Sequence, residues 1–380
     1  MATFERIKPV VKKEFRQIFR DKRSLGLLLV LPAFLLIMYG YALNFDVKHL
    51  SLAVLDQEKS QRSRDFLEGF RHTEYFDLKY DLTNQKQIDD LMEKGNIQIA
   101  LVIPWDFSRS LIAGRETSVQ VIIDGEETGI AGTAIGYVNA IVQSYTTRIV
   151  IEALESKGGG ELSVPVELRP RVWFNPELKS VRFLIPGLMA FVLMITVVIS
   201  TAFSVVREIE RGSIEQIIVS PLRPHELIIG KIVPYALISL ISAHSVLLFG
   251  DLLFDVSIKG NYAWLLTGIL FFLVCGLGLG LLISTIASTQ QVAFMLAVIT
   301  TMLPTFILSG FIFPIRNMPA VIQAVTYLIP ARYFLVILRG VMLKGVGLSA
   351  FGGELAILAG FAVLTLILSS LRMSKTLKKG

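Results

Sequence analysis

Residues 207–235 read REIERGSIEQIIVSPLRPHELIIGKIVPY, and they hold the densest charge chemistry in the apolar part of the chain. Arg207, Glu208, Glu210, Arg211 and Glu215 fall close together, with Arg223 and Lys231 further on and a long apolar run on either side. Charges of both signs on a short polar segment can pair with charges on a soluble partner. Held between two apolar runs, such a segment is a handle by which that partner could move them.

Other chemistry is sparse. There is no glycine loop of the phosphate-cradling kind, so the chain does not hydrolyse ATP by that route. There is no HExxH, no nucleophile elbow and no Cys/His metal spacing. Asp124, Glu126 and Glu127 cluster beside Gly125 and read as a turn rather than a cation site. His244 lies alone in an apolar run and reads as a histidine hydrogen-bonded to a neighbouring helix. Cys275 is the only cysteine; it reads as a small packing residue and says nothing about redox compartment. Trp105 and Trp173 read as core or membrane-facing anchors.

The elements that must position these residues are membrane helices. Apolar residues make up 53% of the chain and charged ones only 18%, which places it among membrane proteins. A span needs about 20 mostly apolar residues. Such runs are expected as transmembrane helices at 25–44, 183–206, 232–250, 262–286, 291–312 and 354–371, with a turn at Ser288-Thr289-Gln290-Gln291 between the fourth and fifth. No span interior holds Asp, Glu, Lys or Arg, which argues against a carrier driven by protons or cations. The first run is long for a cleaved signal and is expected to stay as a signal anchor.

Charge gives the orientation. The net charge of +6 is unevenly spread: residues 46–178 hold 14 Lys/Arg against 21 Asp/Glu, a net −7, which leaves +13 for the remainder. Residues 1–24 carry eight Lys/Arg, and the segments 207–231 and 372–380 are also basic. The positive-inside rule then makes both termini and 207–231 cytoplasmic, and the acidic segment external. The basic balance therefore means anionic membrane lipid and not nucleic acid. In residues 1–24, Phe4, Ile7, Val11, Phe15 and Ile18 recur at helical spacing, with Lys8, Lys12, Lys13, Arg16 and Arg20 on the other faces. That pattern predicts a cytoplasmic amphipathic helix on the membrane surface.

Residues 45–178 are expected to form a mixed α/β extracytoplasmic domain. Strands are predicted at 51–56, 75–80, 97–103, 118–124 and 166–174, and helices at 60–70, 85–94 and 128–156. Residues 313–350, punctuated by Pro314, Pro319 and Pro330, are too short and broken to span and are expected as an outer re-entrant or interfacial segment. The fold class is thus an α-helical polytopic membrane protein with six transmembrane helices, an inserted α/β domain and a re-entrant outer hairpin.

Three stretches resemble one family. They are Glu210-Arg211-Gly212-Ser213-Ile214-Glu215 with Ser220-Pro221, Glu226 and Gly230-Lys231; Trp173-Phe174-Asn175-Pro176 with Phe183 and Pro186-Gly187; and Ser309-Gly310-Phe311-Ile312-Phe313-Pro314 with Met318-Pro319, Pro330-Ala331-Arg332-Tyr333-Phe334 and Leu343-Lys344-Gly345. In order, spacing and topology the whole chain resembles the membrane subunits of ABC exporters of the type-2 permease family, in the subgroup with a large extracytoplasmic domain after the first span.

The resemblance implies a drug- or multidrug-exporter-like, non-catalytic permease of the bacterial inner membrane. It implies a separate ATP-binding subunit that binds the ATP, this chain itself needing no cofactor. The segment between the second and third spans would be a coupling helix, with Glu208, Glu210, Arg211, Gly212, Glu215 and Pro221 at the ATPase contact. A second permease copy or a paralogue is implied too, with the substrate path at their interface along the second and fifth spans. Thr196, Ser200, Thr201, Thr300, Thr301 and Thr305 are the polar positions there, although span hydroxyls usually bond their own helix. The apolar walls lean towards an amphiphilic or drug-like substrate, and an envelope adaptor is a further expected partner. The competing class is an ATP-driven mechanical or signalling subunit that moves its outer domain without transporting anything. A receptor or scaffold without an ATPase would be a third.

Overall fold

The computed structural model describes residues 3–42, 48–126, 128–155, 173–175, 179–212 and 223–377. The chain divides into two compact units, Phe45–Arg171 and a second formed by Met1–Asn44 with Val172–Gly380.

The first unit is built on a four-stranded sheet of order β2-β1-β3-β4. Its strands are β1 (Leu50–Asp56), β2 (Phe76–Asp81), β3 (Ile99–Ile103) and β4 (Gln120–Ile123). β1 runs parallel to β2 and β3, and β4 returns antiparallel to β3. Helices α3 (Gln61–Arg71), α4 (Lys86–Glu93), α5 (Phe107–Ile112) and α6 (Thr128–Glu155) complete the unit. Alternation along β1 sorts the two faces, as a two-residue period must. Leu50, Leu52 and Val54 pack with Phe66, Phe70 and Tyr145, whereas Ala53 and Leu55 pack with Ile88 and Ile97. Ser60 starts α3 by accepting the Ser63 N–H at 3.0 Å, the usual service of an N-cap serine. The strand expected at 166–174 falls mostly outside the described residues.

The second unit is helical. It comprises α1 (Thr3–Arg20), α2 (Lys22–Ala42), α7 (Ser180–Glu210), α8 (Pro224–Phe254), α9 (Tyr262–Ser284), α10 (Gln290–Ala297), α11 (Leu303–Leu308), α12 (Ala320–Thr326), α13 (Pro330–Arg339) and α14 (Gly352–Leu377). Among the described residues, six helical stretches are long and apolar enough to cross a membrane. With this composition the chain is an α-helical polytopic membrane protein. α7 is its axis: it packs against α2, α8, α9, α10 and α13 and is buried along most of its length.

Two features depart from the apolar-run reading. α8 starts at Pro224, well before 232, because the charged Lys231 sits inside the helix with its charge matched by neighbours. The fifth span is not one α-helix: Val298–Met302 forms a π-helical turn between α10 and α11. Pro304 lacks an N–H, and its ring would clash with the carbonyl four residues back. A wider turn is one way to relieve that clash. After the fifth span, α12 and the Pro330–Lys344 helix meet at 83°.

Candidate functional site

α7 ends and α8 begins on either side of residues 213–222, which lie outside the described residues. Glu215 and Pro221 are therefore not placed. The two helix ends are. α7 stops in a left-handed turn at Gly212, φ +67°, whose N–H bonds Ile209 O at 3.1 Å. A glycine takes that conformation without a Cβ clash, so Gly212 is a helix terminator. Arg211, beside it, is exposed. At the other stem, Glu226 folds back to accept the Arg223 N–H at 2.9 Å and closes the first turn of α8.

Glu208 does not face outwards. It is 4% exposed, and its carboxylate meets Lys231 Nζ at 2.8 Å and also Lys13. Lys231, 2% exposed, also donates to Glu14 Oε1 at 2.9 Å. Lys13 reaches the same Glu14 oxygen at 3.1 Å. Two carboxylates and two ammonium groups from α1, α7 and α8 thus form one neutral cluster. Lys13 reaches solvent, but burying Glu14, Glu208 or Lys231 alone would be costly, and the set is acceptable because its members neutralise one another. Arg207 makes a further pair with Asp21 where α1 meets α2.

Glu210 stays exposed and turns to the start of α10, where it accepts the Gln290 N–H at 2.8 Å and the Gln290 side chain. Thr289 caps the same helix. A carboxylate at a helix N-terminus meets unpaired N–H groups and the positive end of the macrodipole. Of the six expected contact residues, Glu210 and Arg211 remain at the surface as charges, Gly212 ends the helix, Glu208 is sealed inside, and two lie outside the described residues.

The hydroxyl positions divide as well. Thr196 and Thr201 are buried and donate to Val192 O (2.7 Å) and Val197 O (2.8 Å) of their own helix. Ser200 is buried too. Thr300 and Thr301 donate to Leu296 O and Ala297 O, both at 2.6 Å, and share a cavity of about 220 Å³ with Thr305, Pro304, Met194 and Thr365. The cavity thus lies beside the π-helical turn, between the fifth span, α9, α14 and the start of α13.

Two features escaped sequence reasoning. Glu14 was hidden among basic residues, although it shares a four-residue spacing with Val10 and Ile18, the buried stripe of α1. Arg339, near the other end of α7, donates to Gly310 O at 3.0 Å and to Phe183 O and Phe311 O, each at 3.3 Å. Its guanidinium also stacks 3.9 Å from the Phe183 ring centroid. Only its place at the end of the apolar run Tyr333–Leu338 could have flagged it.

Comparison with known proteins covers nearly the whole molecule. Residues 22–371 match the model of the family described as "ABC-2 family transporter protein". The chain is 34% identical over 347 residues to the Escherichia coli K12 protein named "Probable multidrug ABC transporter permease YbhS", covering 91% of this chain and 90% of that one. It is 30% identical to "Probable multidrug ABC transporter permease YbhR" of the same strain, covering 91% and 92%. It is 27% identical to that strain's "Inner membrane transport permease YhhJ" over 96% of both chains. With the spans and the helix junction already in place, these matches settle the family: the chain belongs to the ABC-2 transporters and is a permease of that family.

Proposed function

We propose that the chain is the membrane half of an ATP-driven exporter that expels an amphiphilic or drug-like molecule. A separate ATP-binding subunit hydrolyses ATP and docks at residues 207–231. In this reading the termini and that segment face the cytoplasm of a bacterial inner membrane, the unit 45–178 is external, and 313–350 is a re-entrant outer hairpin. Two permeases complete the transporter.

The observation that carries the proposal is the way the two stems of the 213–222 segment are joined. Glu208 before it and Lys231 after it share a buried ion pair, so a push on the segment reaches α7 and α8 together. Glu210 and Arg211 remain outside as charges for a partner. The multidrug names of YbhS and YbhR support the substrate class. So does the mostly apolar cavity lined by Thr300, Thr301 and Thr305, where the Thr300 and Thr301 oxygens, whose protons go to their own helix, remain as acceptors.

Co-purification with a co-expressed ATP-binding ABC subunit, followed by ATP-dependent uptake of a lipophilic dye into inside-out vesicles, tests the reading. The expected result is a stable complex whose ATPase rises on assembly and whose vesicles accumulate dye. A complex that hydrolyses ATP yet moves no amphiphile would favour a mechanical role. No complex at all would overturn the proposal.

A further inference from the structure

The helix α1 has the composition of a surface raft, with exposed Lys8, Lys12, Arg16 and Arg20 along one side. One strip of its other side is packed inward. Val10, Glu14 and Ile18 are buried, at 9%, 0% and 1% exposure. α1 and α8 run side by side in the same direction, Arg6 near Glu226 at 4.0 Å and Val10 against Gly230. The fit at Gly230 is close: a Cβ placed there would lie 2.8 Å from the Val10 Cβ. One turn on, Lys13 and Glu14 enter the ion cluster with Glu208 and Lys231. At the far end Asp21 takes Arg207.

This arrangement leaves α1 little freedom to slide. A small shift along α8 would separate Glu14 from Lys231 while both remained out of water, and a buried charge without its partner is the costliest outcome. The cluster therefore holds as a set or opens as a set. Sliding would also drive Val10 across Gly230, where there is no spare room.

We propose that α1 is a fixed part of the coupling unit: it travels with α7 and α8 as one body, and Glu14 is the positioning residue that fastens it. The fastening bears on transport only if the chain is the exporter half proposed above.

The test uses the full chain with its ATP-binding subunit in proteoliposomes, carrying Cys275→Ala to remove the native thiol. Into this background go Val10→Cys and Gly230→Cys together. A disulfide prefers a Cβ separation of about 3.8 Å, so the helices need part by only about 1 Å. The expected result is a 10–230 disulfide under mild oxidant, with transport per ATP hydrolysed within about twofold of the reduced protein, a difference below the roughly 1.4 kcal/mol that corresponds to tenfold. Transport lost on oxidation and regained on reduction would show that α1 must move against α8, and would overturn the proposal. Failure of the disulfide to form would overturn it also.

A second arm asks whether Glu14 is the fastener. Glu14→Gln should lower transport per ATP by about fivefold while the complex stays assembled, and the 10–230 disulfide should restore it. Loss without rescue would assign Glu14 another role and sink the idea. If the parent complex proves not to transport, the exporter reading fails by itself. The clamp is still read from cross-linking yield, which should fall in Glu14→Gln and which contradicts the clamp if it does not.

Discussion

The two ends of α7 are closed by opposite chemistry. Near Ser180 the guanidinium of Arg339 donates to three backbone carbonyls and lies on the face of Phe183, with a more exposed Arg182–Asp255 pair beside it. Near Glu210 the seal is a neutral set of ion pairs drawn from three helices. A cation on carbonyls is a local staple: it binds whichever loops bring their oxygens to it. A closed ion cluster is a joint, because each member depends on the others for its charge balance. The difference suggests that one end is built to hold loops in place and the other to transmit a displacement between helices.

The sharpest way to break the comparison is Lys231→Met. It would leave Glu14 and Glu208 buried with only Lys13 between them, and removal of one partner from a buried pair costs about 3–5 kcal/mol. Thermal unfolding of the purified permease should show that loss. A small effect would mean that water reaches the cluster and that it is no joint. Lys231→Arg keeps the charge and should cost clearly less.

At the opposite end, Arg339→Met removes the donors to Gly310, Phe311 and Phe183 but leaves no opposite charge stranded. A loss of about 1–3 kcal/mol is expected, as for buried acceptors that lose a partner. The same unfolding measurement ranks the two, and an Arg339→Met loss larger than that of Lys231→Met would reverse the contrast. The smallest stability effect is expected from Glu210→Gln, which is exposed and keeps its shape while giving up its charge at the start of α10. Its melting temperature should stay close to the parent's, and a large drop would place Glu210 inside the joint.

Much of this architecture is legible in the sequence, and the limits are physical. Apolar runs mark the spans, because a lipid-facing helix must be apolar along its length. Thr289, in the turn expected at 288–291, caps the next helix. The helix α8 begins before the apolar run because Lys231, which reads as a loop residue by itself, has two carboxylate partners. Those partners, Glu14 and Glu208, lie far away in the chain, so no local window could supply them. For the same reason Glu208 reads as a surface charge and proves internal. Pro304 lies inside the run 291–312, and whether such a proline yields a kink, a break or a π-helical turn depends on packing around it.

The central claim is that the polar segment between the second and third spans receives the work of an ATP-binding partner. Paired charge reversal, Glu210→Lys with Glu215→Lys, tests it most directly, read as dye transported per ATP hydrolysed in proteoliposomes holding both subunits. The account predicts that the permease folds as before while transport per ATP falls by about tenfold or more. Unchanged assembly and unchanged transport would contradict it.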